Sequence, residues 1–389
     1  MKIIHVIETF APLGGAELYT INQVDLLVKA GIENAVIYWN EHPQTFQVEY
    51  PVFHISEKGQ ARVSRLETII NAIQPNIIYL HTVRDPIILS AAARYGTAVA
   101  YMHDFYPVCP GLAKFYRRGQ AICTRPYGLA CVPMIYLRRC ASARHPLSVY
   151  RIMQTPPRYL AAFEQMKVIL VASTYMKELL VQNGIGAERI SILPYFVHMP
   201  GGTTPIPTGE ASPKLLFVGR LENEKGLPFL LKALARVSHP YQLLIAGQGS
   251  REEAYKALAQ KLGVADQVKF LGWVSTEEMK KLYEEVLCLV FPSIWPEPFG
   301  MVGIEAFYNS RPVIGFNVGG VSDWLHDGWN GYLVPSQDID QLANRIERLL
   351  EKPDLASQMG KNGYSFANVR YRAEQHLEQL LTIFDSLPE

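Results

Sequence analysis

The chain has 389 residues, 49% hydrophobic, 19% charged and 11% aromatic, enough to bury the cores of two domains of ordinary size. That composition excludes extended disorder, and 28 Gly and 26 Pro scattered without period exclude a collagen-like or low-complexity chain. The net charge of +1 conceals an asymmetry: residues 1–199 carry 19 basic against 13 acidic side chains, and residues 200–389 carry 18 against 23, which suggests two domains with different partners.

The chain opens on Lys2–Ile7, an apolar run that leads straight into a glycine turn and reads as a buried first strand rather than a signal peptide. Helices are expected over Ala16–Ala30, Val63–Ile73, Pro86–Tyr95 and Thr174–Asn183. They alternate with strands Asn34–Trp39, Asn76–Leu80, Ala98–Met102, Val168–Ala172 and Ile190–Leu193. Short β-branched runs separated by helices imply βαβ units and a parallel sheet. The stretch 200–213 (PGGTTPIPTGEASP) has no apolar period and reads as a linker. The rhythm then restarts with strands Lys214–Val218, Gln242–Ala246, Val268–Leu271, Leu287–Phe291, Pro312–Phe316 and Gly331–Val334. The helices between and after them are Gly226–Ala235, Arg251–Leu262, Thr276–Glu285, Gly300–Asn309, Asp338–Glu351 and Ala373–Leu387. The fold class is α/β: two Rossmann-like, doubly wound domains, 1–199 and 214–372, expected to face each other across a cleft. Ligands of such sheets sit beyond the carboxyl ends of the strands. No apolar run reaches the roughly 18–20 residues of a membrane-spanning helix.

Four segments at expected strand ends carry chemistry. In FPSIWPEPFGMVGIE, Glu297 lies between two prolines that hold its backbone extended. The amides of Phe299, Gly300, Met301 and Val302 then open a helix, a ready site for an anion, and Glu305 follows inside it. A surface loop before an ordinary helix would give the same pattern. In FVGRLENEKG, Gly219 ends a strand, and Arg220 and Lys225 flank the turn after it. Two cations there suit a diphosphate, although a simple ion pair with Glu222 or Glu224 also fits. Gly14-Gly15 permits close approach of a phosphate but lacks the third glycine of a dinucleotide fingerprint. His103-Asp104 closes a strand and offers a hydrogen-bond donor or proton acceptor; a lone His at a strand end is more often structural.

In this order, the four segments resemble the retaining glycosyltransferases of family four, which have the two-Rossmann GT-B fold. The resemblance covers nearly the whole chain. It rests on Glu297…Glu305 spaced as E-x7-E, Gly14-Gly15, the pair Arg220…Lys225, His103-Asp104 and a glycine turn from Gly315 to Asp323. It implies that 214–372 binds a nucleotide sugar, that 1–199 binds the acceptor, and that the helix near 373–389 packs back on the first domain. Arg220 and Lys225 would neutralise the diphosphate, and Gly219, Gly14 and Gly15 would lie near it. Glu305 would take the ribose hydroxyls, Glu297 the transferred sugar, and Trp273 and Val274 the loop under the base. His103, with Asp104, would face the acceptor and the anomeric carbon. The implied route is front-face attack with retention, stabilised by Arg220, Lys225 and helix amides, without a divalent metal or other cofactor. The favoured donor is a UDP-sugar, and the acceptor a glycan, lipid-linked or small molecule. A sugar-nucleotide epimerase, a sugar phosphorylase and a non-catalytic carbohydrate-binding protein are the alternatives. Where many relatives carry Asn-Gly before the linker, this chain has Pro194-Tyr195-Phe196-Val197.

Phe105–Phe163 holds nine basic residues and no acidic one. Such a field suits an anionic membrane surface or an anionic acceptor, and an ordinary solvated surface would give the same composition; nucleic acid fits the basic-aromatic mixture but nothing else in the chain. The expected location is cytoplasmic, with peripheral attachment to the inner face of the membrane. Cys109, Cys123, Cys131 and Cys140 lie in this segment without any C-x2-C pair, so buried thiols are favoured over a zinc site.

Overall fold

In the computed structural model the described residues are 1–12, 14–42, 48–197, 206 and 213–387. Leu13 and all of the expected linker except Ile206 and Pro213 lie outside them. The chain divides into two compact units. One comprises Met1–Gly119, Cys123–Phe196 and Ala373–Glu389; the other comprises Gln120–Ile122 and Val197–Arg372.

The first unit is built on strands β1 (Lys2–Ile7), β2 (Glu33–Tyr38), β3 (Val52–His54), β4 (Ile77–His81) and β5 (Thr97–Met102). The two-residue strand β6 (Phe115–Tyr116) comes next, then β8 (Val168–Val171) and β9 (Ile190–Ile192), while β7 (Ala121–Ile122) groups with the second unit. Seven of these form one parallel sheet in the order β3-β2-β1-β4-β5-β8-β9. Its central strands are buried almost throughout, as a sheet covered on both faces requires. Helices α1 (Gly15–Lys29), α2 (Gln60–Ile73), α3 (Pro86–Ala93), α4 (Cys131–Leu137), α5 (Pro146–Met153), α6 (Thr155–Phe163) and α7 (Thr174–Gln182) connect them. Pro at the first turn and Asp85 as N-cap start α3, and Ser173 caps α7.

The second unit has strands β10 (Lys214–Val218), β11 (Gln242–Ala246), β12 (Val268–Gly272), β13 (Val286–Phe291), β14 (Val313–Phe316) and β15 (Gly331–Val334). Their order is β12-β11-β10-β13-β14-β15, again all parallel. Helices α8 (Leu227–Leu234), α9 (Glu252–Lys261), α10 (Thr276–Glu285), α11 (Met301–Tyr308), α12 (Ile339–Glu351) and α13 (Pro353–Arg370) belong to it. The last helix, α14 (Ala373–Asp385), groups with the first unit and packs on α1. Helix α13 is absent from the sequence reading because its centre holds Gly360 and Gly363, both poor helix formers. Their role is packing: a side chain at Gly360 would collide with the Ser310 carbonyl, and one at Gly363 with the Phe307 ring.

In each sheet the strand order reverses beside the first strand, between β1 and β4 and between β10 and β13. Loops leaving neighbouring strands diverge at such a switch point and open a crevice at their carboxyl ends.

Candidate active site

At the switch point of the second unit, two loops are locked together. The turn after β10 is a short 3-10 helix, Asn223–Lys225, closed by Gly226 at φ 73°. A side chain at Gly226 would strike the Pro292 carbonyl in the loop after β13. The amides of Ile294 and Trp295 donate to the Glu224 carbonyl at 3.0 and 3.2 Å, and Ser293 Oγ lies 3.2 Å from the same oxygen. This clasp places Lys225 Nζ 2.7 Å from Glu297 Oε1, with Ser293 Oγ 2.6 Å from the same oxygen. Glu297 is buried, 5% exposed, so a substitution that leaves one charge of the pair unpartnered costs about 3–5 kcal/mol. The Trp295 ring lies 5.4 Å from the ammonium. Beneath Glu297 runs the glycine turn. Gly319 packs on its backbone, and Gly320 donates to its carbonyl at 2.8 Å.

Gly300, left-handed at φ 95°, turns the chain into α11. Trp324 Nε1 donates to the Phe299 carbonyl at 2.6 Å and fixes that entry. Met301 and Val302 form the first turn, where an α-helix offers their amides no intrahelical acceptor. Glu305, one turn on, is partly buried. Burial pushes its carboxyl up to about 7, and the Tyr283 hydroxyl at 3.5 Å draws it back down. Gly219 ends β10 at φ 155°, and a side chain at Gly247 would collide with the Gly219 carbonyl. Arg220 is largely exposed, 3.7 Å from Glu224. On the far side of the sheet, Gly272 (φ 74°) ends β12, and Trp273 is 72% exposed beside Val274.

The second unit thus brings Lys225 and Glu297 into direct contact. Arg220, Glu305, Gly300 and Trp273 follow strands of the same sheet at their carboxyl ends or lie in the helix after one. Sequence reasoning missed Ser293 and Tyr283, which touch the two glutamates. Their signal is only the end of a strand and the buried face of α10.

In the first unit, Gly14 is the extended N-cap of α1 and Gly15 its first residue, both exposed. His103 and Asp104 follow β5. Asp104 accepts from the Tyr106 amide at 2.9 Å and lies 3.7 Å from Arg84; burial raises its carboxyl. His103 is 6% exposed, and both ring nitrogens are engaged, Nδ1 with Tyr195 at 2.9 Å and Nε2 with His81 at 3.4 Å. Burial lowers its imidazole to about 3. A neutral ring with both nitrogens occupied is a poor proton acceptor.

The four cysteines of the basic segment are free thiols, and no three of them bring their sulfurs within 4.8 Å of one another. Burial lifts Cys140 to about 11. Among the described residues one trio of metal-type ligands is that close, His239, Glu347 and Glu351. Glu347 already accepts from the Ser238 amide and hydroxyl and lies 2.7 Å from His239 Nδ1, so it caps a loop.

Two family models match the chain. Residues 13–199 match the one described as Glycosyltransferase Family 4, and residues 205–366 the one described as Glycosyl transferases group 1. An uncharacterized glycosyltransferase of Methanocaldococcus jannaschii is 31% identical over 206 residues, 49% of this chain and 53% of that protein. The alpha-D-kanosaminyltransferase of Streptomyces kanamyceticus is 26% identical over 291 residues, 70% and 74% of the two chains. The first of these alignments therefore spans only about half of the relative. Anabaena HepE in complex with UDP has the same fold, at TM-score 0.76 and 18% identity over 100% of both chains.

Proposed function

The chain belongs to glycosyltransferase family 4 with the GT-B fold, and from that premise we propose that it is a retaining transferase. It moves a sugar from a nucleotide-sugar donor held by the second unit to an acceptor held by the first. The observation that carries this reading is the buried contact of Lys225 with Glu297 at the β10–β13 switch point. A ligand with a diphosphate and a hydroxyl-rich sugar can address both partners: phosphate oxygens accept from the ammonium, and the carboxylate accepts from sugar hydroxyls. Arg220, the amides of Met301 and Val302 and the positive end of α11 would share the leaving-group charge. That supplies the electrostatic work with this chain's own groups and no divalent metal. Glu305 would accept from the ribose, with Trp273 and Val274 along the base. Gly219, Gly14 and Gly15 allow close approach of backbone to phosphate. HepE binds UDP, which supports a UDP-sugar here. His103 serves as a wall of the acceptor side rather than as its base, beside Asp104.

The acceptor is a glycan, a lipid-linked glycan or a small molecule, and an anionic membrane surface is the second partner. Eight of the nine basic residues of Phe105–Phe163 are exposed; Lys114 is buried. On the packed helices α4 and α5, Tyr136, Leu137, Leu147 and Tyr150 are exposed as well. Basic and apolar side chains presented together are the features of interfacial attachment. No helix among the described residues is long and apolar enough to cross a membrane.

The test mixes purified protein with UDP-, GDP-, ADP- and TDP-sugars in EDTA and measures nucleoside diphosphate release, following the freed anomeric proton by NMR. Release from one donor with retention, lost about 100-fold or more in Glu297→Gln, is expected. No binding or release with any donor overturns the reading, and unchanged turnover in Glu297→Gln overturns the role of the pair.

A further inference from the structure

A row of buried polar side chains crosses the first sheet. Asn34 Oδ1 lies 2.9 Å from His5 Nε2, His5 Nδ1 lies 3.2 Å from His81 Nε2, and His81 Nδ1 lies 3.4 Å from His103 Nε2. His103 Nδ1 meets the Tyr195 hydroxyl at 2.9 Å. None of the five is more than 7% exposed. Strand register explains the alignment. Asn34 pairs with Ile3, His5 with Tyr79, and His81 with Tyr101. Each next member therefore stands two residues further along the neighbouring strand. A step of two keeps all of them on one face of the sheet, and the diagonal climbs to the carboxyl ends where ligands bind.

The row has one direction. Asn34 Nδ2 donates to the Ile32 carbonyl at 2.8 Å, which turns its Oδ1 toward His5. His5 Nε2 must then donate. A neutral imidazole has one donor and one acceptor, so His5 Nδ1 accepts from His81 Nε2–H. By the same step His81 Nδ1 accepts from His103 Nε2–H, and His103 Nδ1 accepts from the Tyr195 hydroxyl. Burial holds all three rings neutral: His5 falls to about 4, His103 to about 3, and His81 well below its ordinary value. At the far end, Tyr195 belongs to the segment by which the chain leaves the first unit. That segment is also held by Tyr101, whose hydroxyl donates to Leu193 O at 2.5 Å, and by His376 Nδ1, 2.9 Å from Pro194 O.

We propose that Asn34, His5 and His81 are positioning residues, which transmit a single hydrogen-bond direction across the sheet, impose the Nε2–H tautomer on His103 and thereby fix Tyr195. The link to turnover rests on the transferase reading; the tautomer order does not. The full chain, labelled with 15N histidine, reports it at pH 7 through long-range 15N–1H correlations, assigned with single histidine variants. His5, His81 and His103 are each expected as the neutral Nε2–H form. An Nδ1–H or protonated ring at any of the three overturns the proposal, and this readout needs no activity. In Asn34→Leu, three hydrogen bonds away, His103 is expected to change from one tautomer to a mixture. The same change is expected in His81→Leu, with the single form restored in His81→Gln, whose amide keeps both a donor and an acceptor. An unaltered His103 in both leucine variants refutes the transmission. With a donor identified, Asn34→Leu should lower kcat several-fold at unchanged KM for the donor. No donor turnover in the wild-type protein would count against the transferase reading and leave the tautomer result standing.

Discussion

Acidification from pH 7 to 5 should weaken the first unit and strengthen part of the second. In the first unit His5 and His376 lie at about 4 and His103 at about 3 in the fold, each lowered chiefly by burial, with His81 lower than its ordinary value too. Unfolded histidine titrates near 6.5. The unfolded chain therefore takes up protons first, so this stability is complete above about pH 6.5 and is lost as pH falls toward the folded values. At pH 5 the cost is about 2 kcal/mol for each of the three, or roughly 6 kcal/mol together if they act independently. Glu8 and Asp104, raised in the fold by burial, protonate earlier there and offset part of it. What remains is comparable to the whole stability of a typical domain, about 5–15 kcal/mol. Glu305 runs the other way. Its folded value of about 7 lies above the unfolded one, so α11 gains about 2 kcal/mol over the same interval. Hydrogen exchange read by mass spectrometry at pH 7, 6 and 5, corrected for intrinsic rates, separates the two. Protection in β1, β4 and β5 should fall by at least about a hundredfold, which is roughly 3 kcal/mol, while β13 and α11 hold or gain. Unchanged protection in β1, β4 and β5 at pH 5 would refute the neutral, buried state of these histidines.

If Glu305 binds ribose hydroxyls as a carboxylate, kcat/KM for the donor should rise between pH 6 and 8, and Glu305→Gln should flatten that rise and increase KM. Gly360→Ala should destabilise the second unit by about 2 kcal/mol, because its methyl meets a backbone carbonyl that cannot rotate away; thermal unfolding checks this. Sedimentation with vesicles containing anionic lipid should pull down the protein at low salt. The double substitution Leu137→Glu and Leu147→Glu should abolish that without changing hydrolysis of a soluble donor.

The strands and most helices were legible because their apolar periods are strong and their caps local. Lys2–Ile7, Lys214–Val218, Gln242–Ala246, Thr276–Glu285 and Gly331–Val334 have the bounds the pattern suggests. What the sequence hid depends on contacts distant along the chain. Gly360 and Gly363 argue against a helix until Ser310 and Phe307 are seen to occupy the space a side chain would need. Strand β3 is three residues long, exposed at both ends and recognisable only by its pairing with β2. Of the candidate site, Glu297, Lys225, Gly300 and Glu305 were readable from spacing. Ser293 and Tyr283 were not, since only the folded loop brings them to the carboxylates.

The histidine row shows the same limit more sharply. His5, His81 and His103 lie 76 and 22 residues apart, and no local pattern relates them. Their meaning comes from register, because a parallel sheet converts equal steps along neighbouring strands into a straight diagonal. A slip of one residue in β4 would turn His81 to the opposite face and break the row at its centre. The row is therefore also a constraint on β4, since that slip would leave His5 Nδ1 and His103 Nε2 buried without partners. Each unsatisfied group costs about 1–3 kcal/mol. A polar row that tolerates one register alone adds specificity to strands whose uniformly apolar sequences offer little of their own.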